Sequence, residues 1–127
     1  MDKPMTLSEA IRLGAMLKPQ GFGPDSMYAV DRSCALAAAC DATGIQRVSR
    51  GSYDPYNDLC ERFHILKITV PGKPWDVMDE IWRRNDSHSS RDAIADWVET
   101  LERQQEQSCD TSLTNSPSVS LSTVGTS

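Results

Sequence analysis

A chain of 127 residues carrying 18 acidic against 13 basic side chains, with a net charge of −5 and a pI near 4.9, suits one small domain. That balance argues against electrostatic attraction to nucleic acid or to an anionic membrane, and is compatible with a basic protein partner. No apolar run approaches the ~20 residues that span a bilayer, and the start, MDKPMTLSEA, lacks the charged-then-apolar profile of a secretory signal, so a soluble, cytoplasmic protein is expected.

Thr6-Leu7-Ser8-Glu9 matches a capping box, with Thr6 as N-cap, Glu9 reaching back and Met5 as a hydrophobic staple. In the helix that follows, Leu7, Ala10, Ile11, Leu13, Met16 and Leu17 spread over a wide apolar face, and Gly14 would let another backbone come close. Lys18-Pro19 ends it, because the residue before proline is pushed out of the helical region. Residues 20–28 read as loop, with Phe22 between Gly21 and Gly23 as the aromatic that anchors it to the core. Asp31 or Ser33 then caps a second helix, CALAAACDAT, closed by Gly44. Small side chains on nearly every face make this helix the expected central, most buried element.

Residues 45–53, with Arg47, Ser49, Arg50 and Gly51, read as an exposed basic connection. Asp54-Pro55 starts a short helix to about Arg62, proline occupying the first position where its missing amide costs nothing. The segment HILKITV up to Val70 is β-branched and partly alternating, and fits a short strand or an extended loop.

Residues 75–105 read as two helices joined by a polar turn, around which the rest of the chain is organised. The first carries Val77, Met78, Ile81 and Trp82 at helical spacing, with Arg83 and Arg84 near its carbonyl end, and stops at Asn85-Asp86. The second, capped by Ser89 or Ser90, carries Ile94, Trp97, Val98 and Leu101 on one face and Asp92, Asp96, Glu99, Glu102 and Arg103 on the other. Each apolar face is expected to close on the other. After Gln107 the composition turns to serine and threonine, so residues 1–106 are expected to form a small helical domain and residues 107–127 a disordered tail. The fold class expected is therefore mainly α: a single-domain helical bundle with a closing helical hairpin and at most one short extended segment.

The stretches LSEAIRLGAMLKPQGFG, SCALAAACDATG and the late Asn-Asp-Ser-His turn leading into IADWVE together resemble a group of short, uncharacterised bacterial and prophage-associated proteins. Several members of that group place a Cys-Pro-x-Cys segment before the late helical pair, which implies a small metal knuckle in those members. This chain has VPGKPWDV there, so no metal role carries over. A prophage setting implies a dispensable accessory protein that binds a host component.

Four cysteines, Cys34, Cys40, Cys60 and Cys109, are read as reduced thiols. Cys34, near a helix start, and His64 further on follow the order of papain-like sites, but Cys34 leads straight into an alanine-rich helix and core packing is the preferred reading. Cys60 and His64, with Cys34 and His88, could be assembled as metal ligands only by a convergence the spacing does not demand. A DNA-binding helix-turn-helix is disfavoured by the acids on its second helix, and Arg47, Arg50, Arg83 and Arg84 lack the interleaved aromatics of a nucleic-acid surface. No catalytic set, metal or cofactor is assigned. The expected function is non-enzymatic binding of a host protein through Asn85, Asp86, His88, Asp92, Asp96 and Glu99. The alternatives are a small cysteine hydrolase using Cys34 with His64 or His88, and an acidic decoy of a nucleic-acid-binding site.

Overall fold

The structure, a computed structural model, describes residues 4–47 and 55–115. Among them are five α-helices and no strand: α1 (Leu7–Ala15), α2 (Ala35–Thr43), α3 (Pro55–Arg62), α4 (Val77–Asp86) and α5 (Arg91–Asn115), with 3-10 turns at Pro24–Met27 and His64–Lys67. No helix is long and apolar enough to cross a membrane among the described residues. The expected positions of Ser49, Arg50, Gly51 and Asp54 lie outside the described residues, as do residues 116–127 of the tail.

The capping box forms as the sequence predicts: Glu9 N–H donates to Thr6 Oγ1, and Thr6 N–H to Glu9 Oε1. The helix stops at Ala15, however, and its buried side is narrower than expected. Leu7, Ala10, Ile11 and Gly14 are inside, whereas Leu13, Met16 and Leu17 face solvent. The narrowing follows from how close α2 comes. A Cβ built on Gly14 would lie 1.8 Å from the carbonyl oxygen of Ala38, so the two backbones touch and leave no room for wider side-chain packing. In α2, Ala35 through Cys40 are all buried, and Gly44 closes the helix at φ 78°, donating to Cys40 O.

The N-cap of α2 is Cys34 rather than Asp31 or Ser33: its sulfur accepts from Ala37 N–H at 3.4 Å. Arg47 corrects a second expectation. Instead of lying on an exposed connection it is 7% exposed, its Nε donating to Asp41 Oδ1 at 2.9 Å and its Nη1 to the carbonyls of Ser26 and Met27. A guanidinium can be buried when carboxylate and carbonyl oxygens take its hydrogens, and here it fixes the 3-10 turn at Pro24–Met27 to α2. Met27, fully buried, anchors that loop to the core.

Between α3 and α4 the chain makes the 3-10 turn His64–Lys67 and then a single antiparallel bridge from Thr69 to Asp76. The extended segment is thus reduced to one bridge. α5 lies antiparallel along α1, with Ser8 Oγ donating to Glu102 at 2.6 Å at one end and Arg91 donating to Lys18 O at 2.9 Å at the other. α4 leans on α2 and on the 64–67 turn, and touches α5 more lightly than it would if the pair were a self-contained hairpin. The two late helices are neighbours in sequence whose apolar faces serve one shared core: Ile81 from α4 and Ile94, Ala95 and Val98 from α5 are fully buried. The backbone of α5 continues as helix past position 107 to Asn115, beyond the composition boundary read from the sequence.

Candidate binding surface at the turn between the last two helices

Six residues were expected to form a binding surface, and they divide into three groups. Asn85 is inside. It is 2% exposed within the last turn of α4; its Oδ1 accepts from Ala35 N–H at 3.1 Å and Gln20 Nε2 at 2.9 Å, while its Nδ2 donates to Gly21 O at 2.9 Å. A side-chain amide carries both donors and an acceptor, so one residue can satisfy a helix start and a loop carbonyl together. Its role is to hold the 20–21 segment and the start of α2 against α4, and a side chain so buried is not free to touch a partner.

Arg91, which sequence reasoning had passed over, completes that knot. It is buried, and its Nη1 donates to Ser33 Oγ at 2.7 Å while its Nη2 donates to Lys18 O at 2.9 Å and Ala15 O at 3.4 Å. Burial pushes its pKa down, with the charge of Asp92 opposing that shift. The carbonyl of Ala15 ends α1 and that of Lys18 lies just beyond it, where a cation is favoured by the helix dipole. The bridge of Gln20 with Ser33, in which Gly21 N–H donates to Ser33 O at 2.9 Å, lies between the two buried polar side chains.

Asp96 and Glu99 are outside but engaged. Arg12 of α1 reaches both, at 2.6 and 2.7 Å, and Arg103 adds a second cation to Glu99. Hydrogen bonds donated by Arg12 and Arg103 lower the pKa of Glu99, and those that Arg12 donates to Asp96 and Glu99 raise its own. The acidic face of α5 is therefore partly neutralised by its neighbour.

Asp86, His88 and Asp92 are the exposed members. Asp86 Oδ1 accepts from Gly23 N–H at 3.0 Å, which ties the turn to the Phe22 loop. Ser90 Oγ accepts from Ala93 N–H at 3.0 Å and caps α5, as one of the two serines was expected to do. His88 has φ 70°, the left-handed region that glycine and asparagine occupy most cheaply, and costs on the order of 1 kcal/mol there. Its ring meets Phe22 edge-on, with centroids 4.2 Å apart. Phe22 is 43% exposed, so it is not the core anchor it was expected to be; it lies over the turn and leaves a wet aromatic face. The pair could not be read from the sequence because a glycine-flanked phenylalanine and a turn histidine carry no signal that they meet.

The remaining chemistry is dispersed. Cys34 is 6% exposed and borders a void too tight to admit water, lined also by Ala35, Leu36, Ile81, Trp82, Asn85 and Asp86, with no histidine in its wall. Burial pushes the Cys40 thiol up to about 12, although the charge of Arg47 acts the other way. His64 stands exposed at the start of its 3-10 turn, and Cys60 is half-buried on α3. No group of three or more His, Cys, Asp or Glu residues is placed to hold a metal among the described residues. Cys109 lies beyond the described side chains.

Comparison of the chain with protein-family models, with curated proteins and with solved structures finds no match.

Proposed function

We propose that the protein is a non-enzymatic accessory protein that binds a protein of its host, with the α4–α5 turn and the Phe22 loop as its contact surface. The observation that carries this reading is His88. A non-glycine residue held at positive φ on an exposed turn gives up stability for the sake of its side chain, and that side chain here orders an exposed aromatic. Aromatic residues on a rigid base make strong contact points because they bury much area at little cost in side-chain entropy. The base is rigid: Asn85 and Arg91 lie directly beneath, and Asp86 fastens the loop from the side. Asp86 and Asp92 give the rim a negative sign, which suits a basic partner and steers its approach.

The test separates contact from folding. His88→Gly removes both the ring and the backbone strain, so stability should stay level or rise by up to ~1 kcal/mol while partner capture by the full chain falls. Phe22→Ala should reduce capture in the same way. Retention of full capture by both variants would remove this surface from the reading; recovery of no partner, together with no effect of expression on host or phage growth, would remove the protein-binding reading itself.

A further inference from the structure

The outer side of α4 carries an open groove of about 410 Å3, lined by Asp76, Met78, Asp79, Trp82, Arg83 and Asp86. Asp86 belongs to both this groove and the turn, so the two surfaces are continuous. Resting on the protein-binding reading above, we propose that the groove receives a basic amphipathic segment of the partner, one that presents lysine or arginine side chains beside apolar ones.

Its floor and its rim ask for different things. Met78 and Trp82 are half-buried and pack against the core, and Trp82 also walls the tight void beside Cys34, so the floor is apolar and fixed. A flat indole and a thioether accept aliphatic side chains and the methylene stems of lysine or arginine. The rim carries three carboxylates and one guanidinium. Arg83 is already engaged: it lies 3.8 Å from the centre of the Trp75 ring and donates to Asp79 at 3.3 Å. Asp76 Oδ1 accepts from Asp79 N–H at 2.9 Å and Asp86 Oδ1 from Gly23 N–H at 3.0 Å. A carboxylate offers about four acceptor sites, so these single internal bonds leave room for an incoming cation. An anionic ligand would meet net negative charge, and a wholly apolar one would strip water from carboxylates without replacing it. A helix with cations flanking an apolar stripe satisfies floor and rim together.

The test uses two short peptides, one with leucine and lysine at helical spacing and its twin with glutamate in place of lysine, titrated into the full chain. The lysine peptide should bind saturably and shift the indole N–H of Trp82 and the methyl of Met78 in nuclear magnetic resonance spectra. Asp79→Asn with Asp86→Asn should weaken it ~tenfold, and the charge-matched pair Asp31→Asn with Glu106→Gln, two exposed acids outside the groove and the turn, by less than about twofold. Equal weakening by the two pairs, equal binding of the glutamate twin, or shifts confined to residues outside the groove would each overturn the proposal. So would a partner whose capture depends on Phe22 and His88 yet is untouched by Asp79→Asn with Asp86→Asn, an outcome that leaves the protein-binding reading standing.

Discussion

The contact of α1 with α2 and the knot beneath the α4–α5 turn lock the same domain by opposite means. In the first, side chains are missing: Gly14 lets the Ala38 carbonyl of an alanine-rich helix come within contact of the α1 backbone, and stability comes from dispersion and excluded water. In the second, polar side chains are buried and every named bond of Asn85 and Arg91 reaches a distant backbone group or a neighbour that does. The apolar contact tolerates nothing added. The polar one tolerates nothing removed, because each lost partner leaves a desolvated amide or carbonyl behind.

Gly14→Ala is the sharpest way to break the first. The new methyl would fall on a backbone oxygen, which cannot swing aside as a side chain could, so a helix must move; a loss on the order of 4 kcal/mol is expected in urea denaturation. Gly44→Ala is its control. Among the described residues nothing beyond its chain neighbours lies within 4 Å of that Cβ, and the positive φ is the strain, so the loss should be about 1 kcal/mol. If the two substitutions cost the same, the backbone contact is not what holds α1 to α2.

Removing donors or acceptors tests the second region. Asn85→Ala should cost about 3 kcal/mol, since Ala35 N–H and Gly21 O lose their partner together. Arg91→Lys keeps the charge but cannot reach Ser33 Oγ and the carbonyls of Ala15 and Lys18 from one planar fork, and should cost ~2 kcal/mol. Equality of Arg91→Lys with the parent would mean that charge at the end of α1, and not the fork, is what matters.

The two regions also differ in how far a sequence can expose them. Thr6 with Glu9, Gly14 and the Gly44 cap were legible because their partners are either a few residues away or any small-residue helix. The fully buried faces of α4 and α5 were legible from periodicity. Asn85 and Arg91 were not, because their partners lie 50 and 58 residues away and the same residue types at a helix end ordinarily cap or face solvent. Arg47 was not legible because the carbonyls that receive its guanidinium, those of Ser26 and Met27, belong to a loop 21 and 20 residues earlier. Of the candidate surface, the turn that holds Asp86 and His88 was legible from its short polar residues, and the position of Phe22 was not, because exposure of an aromatic leaves no mark in composition.

Alkaline titration probes the apolar region without changing its shape. Cys40 lies in the middle of the buried run of α2, and burial raises its pKa to about 12 in the folded state. A thiol whose folded pKa is raised contributes stability that is full below the unfolded value, near 8.5, and is lost as pH climbs from there toward 12. The loss across that window should be a few kcal/mol, on the order set by linkage. Tyr56, also raised chiefly by burial, adds to the same limb. Cys40→Ala should flatten it, leaving the Tyr56 part; an unchanged alkaline slope in that variant would show that the thiol opens to water before it ionises.

Arg12 marks the edge of the comparison, where polar contacts are exposed and neither missing atoms nor desolvated groups are at stake. Its ion pairs with Asp96 and Glu99 are short, yet they sit in water and give little net stability. Arg12→Gln should therefore shift the denaturation midpoint least of all, and less still in high salt. Its clearer effect is on Glu99, whose carboxyl is held below the usual range first by Arg12 and then by Arg103. A depressed folded pKa means a contribution present above the ordinary carboxylate pKa and lost as pH falls through the folded value. With Arg12 gone, the Glu99 titration followed by nuclear magnetic resonance should move up toward the ordinary value, and the acid limb of stability should become shallower. A Glu99 titration unmoved by Arg12→Gln would place its stabilisation on Arg103 alone and leave Asp96 as the one carboxylate through which Arg12 joins α1 to α5.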